Sequence, residues 1–143
     1  MEKATDKQCL DRREVIDLLH RHGVTPTQQR VEIGQMLFAR PQHLSADLLL
    51  AQVNSEGHRV SKATVYNTLN LFARKGLVRE VIVDPSKVFY DSTTSEHHHF
   101  FNIDTGELTD VPLPILGIAQ LPPLPEGTVA AGVDVIIRVR SAD

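Results

Sequence analysis

Residues 61–90 restrict the architecture more than any other stretch. Ser61 is a natural N-cap, and Val65, Leu69 and Phe72 recur at helical spacing over 62–75, with Gly76 at the C-terminal boundary. That stripe faces inward and leaves Lys62, Thr64, Tyr66, Asn67 and Asn70 largely outward. Immediately after it come an apolar run over 77–83, a turn at Asp84-Pro85-Ser86-Lys87, and Val88-Phe89-Tyr90. Proline at the second turn position pre-sets φ, so the spacing predicts a β-hairpin. A polar-faced helix followed at once by a hairpin is the order of a winged helix-turn-helix, in which the last helix enters the DNA major groove and the hairpin lies along the backbone. The plainer alternative is a small helical core with a polar surface helix.

Three helices precede it. Val15, Leu18, Leu19 and His22 are spaced as a helix from Asp11 that Gly23 closes. Thr25-Pro26-Thr27 opens a second, whose stripe of Val31, Ile33, Met36, Leu37 and Phe38 runs to Ala39-Arg40 before Pro41 stops it. Ser45 caps a third, carrying Leu48, Leu49 and Val53 and ended by Ser55-Glu56-Gly57. On this frame Arg30, Arg59, Lys62, Arg74, Lys75 and Arg79 are candidates for phosphate contacts, and Tyr66, Asn67 and Asn70 for base edges, with Thr64 beside them.

Behind the hairpin the character changes. Residues 1–84 hold 12 Lys and Arg against 10 Asp and Glu, whereas 85–143 hold 3 against 8, within a total of −3. A mildly basic front and an acidic rear suit a DNA-facing half and a cation-binding half. The domains expected are a flexible N-terminus over 1–10, a winged helix over 11–90, a polar hinge over 91–96 and a small sensing domain over 97–143. The class is α+β, an N-terminal winged helix-turn-helix with a small C-terminal α/β dimerisation domain.

The rear half opens on His97-His98-His99. In a strand over 97–103, His97 and His99 share a face and His98 takes the other, so two imidazoles reach one metal ion while His98 is left for another partner. A second strand over 108–111 follows a turn near Asp104-Thr105-Gly106-Glu107. With a two-residue loop Asp110 falls opposite Phe101, diagonal to His99; a three-residue loop moves it to the other face. Residues 112–120 are expected to form a short helix, 121–127 a Pro-rich link, and 133–140 a half-buried strand with Val133, Val135, Ile137 and Val139 on one face. So few elements make a second subunit the natural partner. Cys9 is the only cysteine, which excludes a disulfide framework and any Cys₄ zinc site. No apolar run approaches a membrane span, and the N-terminus lacks the basic-then-apolar order of a signal peptide, so a cytoplasmic protein is expected.

These residues resemble the ferric uptake regulator family of bacterial repressors. Val24-Thr25-Pro26-Thr27-Gln28-Gln29-Arg30, His43-Leu44-Ser45-Ala46-Asp47-Leu48-Leu49, Ala63-Thr64-Val65-Tyr66-Asn67-Thr68-Leu69 and Gly76-Leu77-Val78 carry the likeness, over roughly 10–111. The His triplet and the cysteine-free strand beside it are similar to the iron response regulator branch. The resemblance implies a homodimer on an A·T-rich inverted repeat, controlling iron and haem genes. It implies a regulatory divalent metal, Fe²⁺, Mn²⁺ or Zn²⁺, on His43, Asp91, His97, His99 and Asp110, and haem as an effector at His97, His98 and His99. Tyr66 matches the family's base-contacting tyrosine. The family's CxxC structural zinc motif would fall at Asn102 and Thr105, so no structural zinc of that type is expected. Asn67 stands where many members carry arginine, and Cys9 precedes Leu10 rather than the proline of a Cys-Pro haem motif.

Three other readings follow from the same residues. One is a metalloregulator of the same family without haem sensing. Another is a small non-haem metalloenzyme, since paired His and Asp also build such sites; neither a nucleophile motif nor a phosphate loop accompanies them here. The third is a winged helix serving protein interactions alone.

Overall fold

The computed structural model describes residues 10–57, 59–95, 97–112 and 121–142, in two compact units that divide after Thr94. In the first, helices α1 (Arg12–Arg21), α2 (Gln28–Leu37), α3 (Ala46–Ser55) and α4 (Lys62–Arg74) are joined by a two-residue strand β1 (His43–Leu44) and followed by β2 (Arg79–Asp84) and β3 (Lys87–Asp91).

Each helix begins where a side-chain oxygen satisfies an orphan amide. Asp11 and Glu14 form a reciprocal capping box on α1, while Thr27, Ser45 and Ser61 accept from the amides of Arg30, Leu48 and Thr64. Gly23 and Gly76, at φ 75° and 81°, end α1 and α4 in the left-handed conformation that glycine adopts without strain. The second helix is shorter than its apolar pattern. It stops at Leu37, not at Arg40, because the Gln42 amide donates to the carbonyls of Met36 and Leu37 and closes the end before Pro41 is reached.

Val15, Leu19, Ile33, Leu37, Leu49, Val65, Leu69 and Phe72 are all fully buried and form one core, with Phe72 stacked on Phe38 at 5.9 Å between centroids. Close helix approach is set at Gly34, where an added Cβ would lie 2.8 Å from Cγ1 of the buried, β-branched Val15. Gly34→Ala is therefore expected to lower stability by about 1–2 kcal/mol despite alanine's better helix propensity, because Val15 is stiff at χ1. A thermal melt by circular dichroism checks this; a raised midpoint would show that Val15 can shift.

The sheet of this unit has the order β1-β3-β2, all antiparallel. A two-residue turn, Pro85-Ser86, joins β2 to β3, and Asp84 holds it by accepting from the Ser86 hydroxyl and amide, which keeps the Asp84 carboxyl below its ordinary 3.8. The register shifts between Ile82 and Asp84, a bulge that twists the hairpin.

The second unit is a sheet ordered β5-β4-β6, from β4 (His99–Asn102), β5 (Leu108–Asp110) and β6 (Ile136–Val139), with β5 antiparallel and β6 parallel to β4. All three strands are shorter than their sequence patterns. Phe101 and Leu108 are buried opposite one another, but Ile103, Ile137 and Val139 stay exposed, so β6 is not half-buried within one chain. The helix expected over 112–120 falls, apart from Pro112, outside the described residues, as do Cys9 and residues 1–8 of the N-terminus; Leu10 packs on the core. Among the described residues no helix is long and apolar enough to cross a membrane.

Candidate metal centre and nucleic-acid interface

Two of the expected metal ligands lie in the first unit. β1 pairs with β3 so that His43 stands directly opposite Asp91, and His43 Nε2 lies 3.3 Å from Asp91 Oδ2. Asp91 ends a strand instead of starting a loose link, and its side chain is almost wholly buried. Its other oxygen accepts from the Thr93 amide at 2.9 Å. The ladder is extended beyond β1 by Gln42 and Ser92, which exchange backbone and hydroxyl bonds. A two-residue strand has no periodicity to read, so β1 is invisible in the sequence.

The other three ligands lie in the second unit. Turn geometry differs from the two-residue loop. Gly106 N donates to Asn102 O and Asn102 N to Glu107 O, which closes a four-residue turn and pairs His99 with Asp110, Phe100 with Thr109 and Phe101 with Leu108. The register thus moves by two residues, keeping Asp110 on the His99 face and bringing it from the diagonal to the directly opposed position. Val111 N donates to His98 O, so 99/110 is a non-hydrogen-bonded pair, the kind whose side chains approach most closely.

Asp110 Oδ1 lies 3.5 Å from His99 Nε2 and 3.4 Å from His97 Nε2, and the two rings are 4.6 Å apart. His97 precedes the strand, yet it shares the face because its Nδ1 donates to Ser95 O at 2.7 Å. That bond fixes the tautomer whose Nε2 lone pair is open to a ligand, as carbonyl-bound imidazoles do around metals. The three ligand atoms lie within 4.8 Å of one another. Separations of 3.4–3.5 Å exceed those of strong charge-assisted hydrogen bonds and match the edge of a tetrahedron with arms of about 2.1 Å, the usual Zn–N and Zn–O length. Two imidazoles and a carboxylate are a donor set for Fe²⁺, Mn²⁺ or Zn²⁺. Asp110 is half-exposed while His99 is fully buried, so access is from the Asp110 side.

His98 behaves differently. Its Nδ1 accepts from the Val135 amide at 3.0 Å, and His99 N donates to Val135 O, so these two bonds latch the residue before β6 to the start of β4. The consecutive imidazoles His97 and His98 are thus held in opposite tautomers. Nothing in the sequence distinguishes them, because the partners are Ser95 O and the distant Val135.

On α4 the side chains of Lys62, Tyr66, Asn67 and Asn70 are exposed along one face, and Val65, Thr68, Leu69 and Phe72 are buried along the other. Thr64, beside them, is half-buried, and its hydroxyl accepts from the Ser61 hydroxyl within the cap. Arg30 donates to Thr25 O at 2.9 Å, which ties it to the turn before α2. Arg59 is exposed and lines a polar cleft of about 590 Å³ with Asn54, Gly57, Val60 and Ser61.

A sequence model of the ferric uptake regulator family matches residues 21–121. The peroxide operon regulator of Bacillus subtilis is 31% identical over 102 residues, covering 71% of this chain and 70% of that protein. Among solved structures, the ferric uptake regulator of Pseudomonas aeruginosa with manganese superposes with a TM-score of 0.65 at 24% identity, over 89% of this chain and 97% of that one. The ferric uptake regulator of Francisella tularensis with iron gives 0.67 at 22% identity, over 83% and 92%.

Proposed function

We propose, from the premise that this chain belongs to the ferric uptake regulator family, that it is a divalent-metal-responsive repressor acting as a homodimer on an A·T-rich inverted repeat in the cytoplasm. Members of this family regulate transcription and are not enzymes, so the metalloenzyme reading falls away. The observation that carries the proposal is the His97, His99 and Asp110 cluster in a chain that also presents the exposed face of α4.

His43 and Asp91 belong to the DNA-binding unit, whereas His97, His99 and Asp110 belong to the other. A single ion drawing ligands from both would favour one arrangement of the two units, and differential affinity for that arrangement is what lets a metal shift DNA binding. When bound, the ion supplies coordination only. The chain supplies the rest: Ser95 O sets the His97 tautomer, strand pairing aims His99 and Asp110, and β1 aims His43. Phosphates are met by Arg30 and Arg59, and bases by Tyr66, Asn67 and Asn70, with Lys62 beside the Tyr66 ring. Solved relatives with manganese and with iron support a metal of this class.

Selection from a random duplex pool by the purified protein with Mn²⁺ tests the DNA reading. Enrichment of an A·T-rich inverted repeat is expected, and a pool that stays random would overturn it.

The finer proposal is control of iron and haem genes, with haem as effector at His97, His98 and His99, a neutral imidazole being a normal axial ligand. Ligation by His98 Nε2 puts the ring's one proton on Nδ1, facing the Val135 N–H, and so releases the latch on β6. That engagement favours the second reading, a metal regulator without haem sensing. Haemin titration followed by absorbance separates the two. If His98 is the ligand, His98→Ala abolishes uptake and wild-type uptake speeds hydrogen exchange at the Val135 amide. No uptake by the wild type, or uptake unchanged when His97, His98 and His99 are all replaced by Ala, leaves the metal-only reading.

A further inference from the structure

We infer that Asp47 is a specificity-determining residue, holding the recognition helix to base readout by cancelling the charge of Lys62. The inference rests on the DNA-binding reading of α4. Lys62 is the first residue of α4 and Asp47 the second of α3. Their side chains form an ion pair with Nζ 3.8 Å from Oδ1, and both are largely exposed. The same ammonium sits 5.8 Å from the centroid of the Tyr66 ring, one turn further along the exposed face.

As a contribution to folding, an exposed pair of this kind counts for little. Its consequence lies in how the surface meets DNA. Ala63, Tyr66, Asn67 and Asn70 are exposed and uncharged, and the next cations, Arg74 in the last turn and Lys75 at the C-cap, lie at the far end. Within α4 itself Lys62 is the cation of the first turn, with Arg59 exposed three residues before it. A phosphate oxygen approaching it meets the Asp47 carboxylate as a competitor for the same charge. Release of counterions is what gives sequence-blind affinity, so a neutralised Lys62 withholds that affinity from every duplex alike. Seated between Asp47 and the Tyr66 ring, Lys62 instead fixes the ring that faces the bases. The first effect is common to every duplex, so the gain in specificity comes from the second: a better-positioned reader favours only the duplex whose bases fit it.

The test compares the full-length protein with Asp47→Asn, Lys62→Gln and the double variant. Each is titrated, at several salt concentrations, against the selected inverted repeat and a mixed-sequence duplex of equal length. Freeing Lys62 adds about one phosphate contact, so Asp47→Asn is expected to steepen the salt slope by about 0.9 and tighten the mixed duplex roughly eightfold at about 0.1 M salt. The selected repeat should gain less, lowering the specificity ratio. In the Lys62→Gln background the Asp47 change should have no effect on either duplex. An unaltered salt slope, or equal gains on both duplexes, overturns the inference while leaving wild-type DNA binding intact. A wild-type protein that holds neither duplex overturns the DNA reading and the inference with it.

Discussion

Replacing His97 with Ala is expected to weaken Mn²⁺ binding by more than a hundredfold, measured by calorimetric titration of metal-stripped protein. Loss of an outer-shell partner alone costs about 10- to 100-fold in such sites, and His97 is placed as a direct ligand. The reading of one ion shared by the two units makes a sharper demand. His43→Ala, 54 residues before the start of the triplet, should cause a loss of the same order, and combining the two should add far less than the product. Groups that act as one site are not additive, whereas independent sites are. If His43→Ala leaves the Mn²⁺ isotherm unchanged, the ion is held by His97, His99 and Asp110 alone, and metal has no grip on the DNA-binding unit. Neither substitution should disturb the apo fold greatly, since both imidazoles are partly exposed.

The second large effect is on stability. Phe72→Ala should cost about 3–5 kcal/mol, the range for emptying a fully buried aromatic site. Phe72 is 0% exposed, stacks on Phe38 and belongs to the single core that all four helices share. A domain with only about 5–15 kcal/mol in hand loses much of its margin, and the melting midpoint should fall by roughly 15 °C or more. Asn70→Ala, on the opposite face of the same helix, is the control: its midpoint should stay within a few degrees while DNA binding weakens. A Phe72→Ala protein melting as wild type would show that the α4 stripe does not anchor the core.

Much of the first unit is legible because its signals are local. Thr27, Ser45 and Ser61 cap the helices that their positions announce, and the Pro85 turn joins the strands on either side. What stays hidden depends on distant partners. Gln42 ends α2 early through its side-chain amide, and β1 exists only because β3 pairs with it. In the rear half, the i, i+2 spacing of His97 and His99 reveals a shared face, but the register follows from the Asn102–Glu107 turn, whose four residues the sequence does not announce. The opposite tautomers of His97 and His98 depend on Ser95 O and Val135 N, one local and one 37 residues away. Likewise Asp47 reads as an ordinary first-turn acid on α3, and only packing beside α4 makes it the counter-ion of Lys62.

The most direct measurement is fluorescence anisotropy of a labelled A·T-rich inverted repeat, titrated with protein first stripped of metal and then supplied with Mn²⁺ at one fixed salt concentration. A regulator whose two units are drawn into their DNA-binding arrangement by one ion should bind at least tenfold tighter with Mn²⁺, and His97→Ala should lose that gain but keep the metal-free affinity. Binding that is equally tight with and without Mn²⁺, and unchanged by His97→Ala, would contradict metal control through this cluster.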